Sequence, residues 1–187
     1  MVASGSVPRQ AHRETEGVER RDPWHNAAPM ESTLGARIAE IFAKGGGEGE
    51  PRFLPLVTLD SEARCGLDAE LRWIVAAAEG GAVVIGKDNV HLLHEVVEWK
   101  RDRFDDALTE AARALALPED EVVFSFPVID LVRALLDKRV SYLTGLALRW
   151  LRPTELRALR TELLFVSKDS FMPAPVRGLA ERLVVPE

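Results

Sequence analysis

Beyond Pro127 the chain breaks into four stretches of amphipathic helical spacing, about 127–138, 141–151, 153–167 and 174–184, and this succession constrains the fold most. Pro127, Pro153 and Pro175 each stand near the start of a stretch, where a helix does not use the missing N–H. Helices this short are marginal alone and must bury their apolar stripes against one another. The expected fold class is therefore mostly α: a compact multi-helix domain, its C-terminal helices paired, with a few short extended segments. Pro127-Val128 followed by Leu131 and Leu135 returns, 48 residues later, as Pro175-Val176 followed by Leu179 and Leu183. That offset lies close to the period of helical-pair solenoids and suggests a helical-repeat-like C-terminal half.

Upstream the pattern is less regular. Residues 1–29 are polar, with Trp24 their one aromatic residue, and read as a disordered arm, too poor in apolar surface to offset the entropy of ordering. Met30 is an equally good initiator. Residues 30–187 then form a single domain. Leu34, Ile38, Ile41 and Phe42 set an N-terminal helix within 30–44, capped by Ser32 or Thr33. The glycine run of 45–52 reads as a flexible linker, because it lacks the lysine and glycine spacing of a phosphate cradle.

Segment 53–59 reads as an edge strand or extended lead-in, since Pro55 excludes a central strand. A helix is expected over about 61–78, with Leu67, Leu71, Ile74, Val75 and Ala78 on its buried stripe. Residues 82–85 fit a buried strand or a core-plugging loop. The longest helix is expected over about 89–116, and 121–125 is strand-like in composition. The alternative fold is a small α/β domain with 53–59, 82–85 and 121–126 as parallel strands.

Charge divides the domain. Residues 30–130 hold 20 acids and 10 bases, whereas 131–187 hold 6 acids and 10 bases. Opposed surface fields of this kind select partners or register one half on the other. The single cysteine, Cys65, excludes an internal disulfide and reads as a small buried hydrophobe. No apolar run reaches the ~20 residues of a membrane span. With no leader-like apolar run in 1–29, the cytoplasm is the default location.

Three sets of residues invite a chemical reading. His91, His94, Glu95 and Glu98 fall at helical spacing and could ligate one metal ion, although His-x-x-His-Glu is not the order of a metalloprotease helix. Asp102, Asp105, Asp106 and Glu110 share their segment with Lys100, Arg101, Arg103 and Arg113, which describes an ion-paired surface more than a catalytic carboxylate pair. Trp99, off the main apolar stripe, and Arg149, Arg152, Arg157 and Arg160 combine the residue types that dominate protein interfaces.

The leading expectation is a cytosolic protein–protein interaction module (an adaptor, an immunity-type inhibitor or a regulatory subunit) without catalysis or a cofactor. Its partner is another protein, met through charge-complementary surface, and homo-oligomerisation through the opposed halves is open to it. One alternative is a metal-dependent enzyme or metalloprotein using His91 and His94 with the neighbouring carboxylates. Another is an anion or nucleic-acid binder using the arginine-rich C-terminal helices, against which the acidity of the chain argues.

Overall fold

The computed structural model describes residues 33–184; the expected arm of 1–29 and residues 30–32, with the expected cap Ser32, lie outside them. The fold is mostly helical with a small sheet, in keeping with the expected class. Helix α1 (Thr33–Ala43) buries Leu34 and Ile38. The glycine run after it is a closed turn: Glu48 and Phe53 exchange backbone hydrogen bonds of 2.7 and 2.8 Å. Gly47 there has φ +83°, and a Cβ would stand 2.8 Å from the Phe42 ring, so only glycine fits.

Four strands follow: β1 (Leu54–Thr58), β2 (Arg64–Leu67), β3 (Trp73–Ala76) and β4 (Ala82–Val84). They form an antiparallel meander in chain order, which puts β1, with Pro55, at an edge as expected. Residues 82–85 contribute a strand, whereas 121–126 do not, and every strand pair among the described residues is antiparallel. The helix expected over 61–78 is instead the β2–β3 hairpin. Asp68 closes it: Oδ1 accepts the N–H groups of Glu70 (3.0 Å) and Arg72 (2.8 Å), and Oδ2 accepts Arg72 Nε at 2.7 Å.

The misreading has a physical cause. Cys65 and Leu67 stand opposite Val75 and Trp73 on the face toward the main core. Ile74 and Ala76 point to the other face, where Phe53, Ala82 and Val84 form a second, smaller core. Burial on both faces erases the polar–apolar alternation by which a strand is recognised.

The helix expected over 89–116 is two elements. Val90–Glu98 is a 3-10 helix and Arg101–Ala114 is α2, with Trp99 and Lys100 extended between them. The break is held by side chains. Trp150 Nε1 donates to the Trp99 carbonyl at 3.0 Å, and Trp99 Nε1 donates to Asp60 at 3.1 Å. Helix α3 (Glu119–Ser125) replaces the strand-like reading of 121–125. Glu119, Asp120 and Glu121 occupy its first turn, where carboxylates favour the helix dipole.

The C-terminal helices α4 (Val128–Asp137), α5 (Ser141–Trp150) and α7 (Ala174–Leu183) match the expected segments, whereas the helix expected over 153–167 is a turn after Pro153, a 3-10 turn at Leu156–Leu159 and then α6 (Arg160–Lys168). They pack as pairs, α4 on α5 and α6 on α7. The 48-residue echo therefore joins the first helix of one pair to the second of the next. Leu131 and Leu135 are buried in α4, while Leu179 and Leu183 are only half-buried in α7. The echoed positions are not structurally equivalent.

Trp73, Phe104, Phe126 and Trp150 meet where sheet and helices join, with centroids 4.7 to 5.9 Å apart. Trp73 and Trp150 are buried, each with its indole N–H on a backbone carbonyl.

Candidate functional site

An open groove of about 470 Å³ lies between α2, the α3–α4 corner and the turn after α5. Its floor is an ion network. Arg101 is mostly buried, its guanidinium 4.8 Å from the centre of the Trp150 ring. Nε donates to both Asp105 oxygens at 2.9 and 3.0 Å, and Nη1 donates to Glu155 at 3.0 Å. Arg152 Nη2 reaches Asp105 at 2.8 Å and Asp102 at 3.0 Å, while its backbone N–H donates to Glu155 at 2.9 Å. Both guanidinium groups are thus fully neutralised by carboxylates, and the network serves as a structural joint between α2 and the turn after α5.

The rim differs. Five carboxylates line the groove against two guanidinium groups. Asp106 and Asp120 are exposed and have no ion-pair partner among the described residues. Asp130 shares Arg133 (3.2 Å) with Glu162, which holds the same guanidinium more closely, at 2.6 Å. The same groove is lined by Phe124, 85 % exposed.

Phe124 is exposed because 119–125 is a helix. In a strand, Phe124 would share a face with Val122, two residues away. Helical rotation places Val122 in the core and turns Phe124 outward, beside half-buried Val123 and Ile129 on the groove wall. Neither Phe124, Asp106 nor Asp120 was singled out as a contact residue by sequence reasoning. The available signal was Pro118 followed by three acids, a helix-start signature.

Of the expected contact residues, Trp99, Arg149 and Arg152 border one adjoining cleft of about 400 Å³, which shares Arg101 and Arg152 with the groove. Trp99 is half-buried, with the Arg103 guanidinium 3.7 Å from its ring centre. Arg157 and Arg160 lie on the Leu156–Leu159 turn and α6, outside both cavities.

His94, Glu95 and Glu98 border a further open cleft with Asp60 and Ser61, where Ser61 donates to Glu95; His91 does not line it. A 3-10 helix repeats about every three residues, so His91 and His94 fall in one row and Glu95 and Glu98 in the next. α-Helical spacing would have put all four on one face. His94 Nδ1 lies 3.2 Å from the His91 carbonyl oxygen. Among the described residues, no three His, Cys, Asp or Glu side chains are grouped to hold one metal ion.

Cys65 is buried in the sheet, and burial, reinforced by Glu95, pushes its thiol up to about 12. The site is not built for nucleophilic attack by sulfur. No described helix is long and apolar enough to cross a membrane. The chain matches no protein-family model, no curated protein and no solved structure.

Proposed function

We propose that this protein is a cytoplasmic protein-interaction module, acting as an adaptor, an immunity-type inhibitor or a regulatory subunit, with no catalysis of its own. One observation carries the reading: a large aromatic side chain, Phe124, stands almost wholly in solvent while lining the groove. Aromatic anchors beside a partly apolar wall, ringed by polar groups, are the usual energetic centre of a protein interface. The groove is open, and its buried charges are all paired, which fits a contact surface better than a reaction chamber. The cleft bordered by Trp99, Arg149 and Arg152 extends the same surface across the shared arginines.

Immobilised full-length protein and its Phe124→Ser variant, exposed to a native-host extract at low and high salt, test this. The expected result is a protein retained at stoichiometric level by the wild type, lost with Phe124→Ser and weakened by salt. Equal retention by the variant, or no retained protein at low salt, would contradict it.

A further inference from the structure

Resting on that reading, we infer that the groove's occupant is a basic amphipathic segment of another protein, presenting a lysine or arginine beside an apolar side chain. The charge balance carries this. The two arginines of the groove already pair with Asp102, Asp105 and Glu155, three carboxylates against two guanidinium groups, so they leave no net positive charge for an acidic group. What faces outward is uncompensated carboxylate: Asp106 on α2 and Asp120 on α3, each exposed and unpaired among the described residues, with Asp130 only partly satisfied by Arg133.

These acids line the same groove as the apolar side chains of Phe124 and Ile129. A lone ammonium would leave Phe124 in water, and a purely apolar segment would bury carboxylates without a counter-charge. A segment carrying both features satisfies both walls. A basic side chain also gains from the aromatic face, since cations are attracted to the ring quadrupole. An acidic segment, or a nucleic acid backbone, meets like charge at Asp106, Asp120 and Asp130.

The inference is tested with three labelled peptides of one amphipathic helical pattern, built from leucine with lysine, with glutamine or with glutamate. Binding to the full-length protein is followed by anisotropy and by amide chemical shifts. The lysine peptide should bind tightest, and shifts should centre on Asp106, Asp120, Phe124 and Ile129. Asp106→Asn/Asp120→Asn should weaken it about tenfold, and Phe124→Ser by a similar factor.

The control Glu79→Gln/Glu181→Gln removes the same net charge from residues that do not line the groove, and should leave the affinity within about twofold if local pairing decides it. Binding that ignores Asp106 and Asp120, falls equally in the control, or is as strong for the glutamate peptide would overturn the inference. So would a low-salt homodimer that dissociates on Asp106→Asn/Asp120→Asn, since a second copy would then be the occupant. Should the peptides fail while Phe124→Ser still abolishes partner retention, the occupant's chemistry is wrong and the interaction reading stands.

Discussion

At the scale of single residues, the side chains most tightly held are those the fold removes from chemistry. Cys65 is an example, with a thiol raised from its ordinary value near 9 to about 12. In the unfolded chain the thiol ionises near its ordinary value, while in the folded chain it stays protonated until the pH approaches 12. Its contribution to stability is therefore complete below about pH 9 and is lost as the pH rises from there toward 12. Urea midpoints measured at about pH 8 and about pH 10 should fall more steeply for the wild type than for Cys65→Ala. The native thiol should stay unreactive to an aromatic disulfide reagent at mildly alkaline pH and react once the protein is unfolded.

Asp105 makes the opposite case, a buried charge fixed by two arginines. Asp105→Ala leaves the mostly buried Arg101 with Glu155 alone and frees Arg152 from one carboxylate. The expected loss is about 3 kcal/mol in chemical denaturation, because removing one partner strands the other charge.

Among the elements, the sheet carries the sharpest steric constraint. Gly66 lies on β2 against β1, where the register shifts between Pro55 and Val57. A Cβ at Gly66 would stand 2.0 Å from the Leu54 carbonyl oxygen, so Gly66→Ala must push β1 away. The cost should reach about 3 kcal/mol, read as a lowered thermal midpoint with loss of protection at Leu54–Thr58 amides.

This region also marks the limit of what the sequence disclosed. The helices after Pro127 were legible because each buries a single stripe, and apolar spacing reports that directly. Residues 61–78 were not, since β3 buries Trp73 on one face and Ile74 on the other, and Leu67, Leu71, Ile74 and Ala78 then mimic helical spacing. The turn at Asp68 depends on a side chain bonding to the backbone just downstream, which leaves little trace in hydrophobic pattern.

The site was legible only in part, for a related reason. Trp99, Arg149 and Arg152 were singled out by residue type and share one cleft. His94, Glu95 and Glu98 share one cleft that His91 does not line, in a segment wound as a 3-10 helix, and Phe124 was missed because a strand-like composition concealed a helix.

For the molecule as a whole, the aromatic cluster of Trp73, Phe104, Phe126 and Trp150 joins β3, α2, the α3–α4 corner and α5. Sheet and helices should therefore unfold together. Far-ultraviolet and near-ultraviolet circular dichroism should give one coincident transition. Phe104→Ala, made at a fully buried ring, should lower both signals together at a cost of about 3–5 kcal/mol.

The same joint holds the groove rigid from beneath, since Trp150 stacks under Arg101, and Phe126 and Arg101 both line the groove. A surface held in this way binds without rearranging, which favours docking through a pre-formed face. The most direct measurement is hydrogen exchange on the full-length protein, alone and saturated with the partner that Phe124→Ser fails to retain. Slowed exchange confined to 101–109, 119–130 and 152–155, the segments that build the groove, is the expected result. Slowed exchange centred instead on α6 and α7, with 119–130 unchanged, would contradict it.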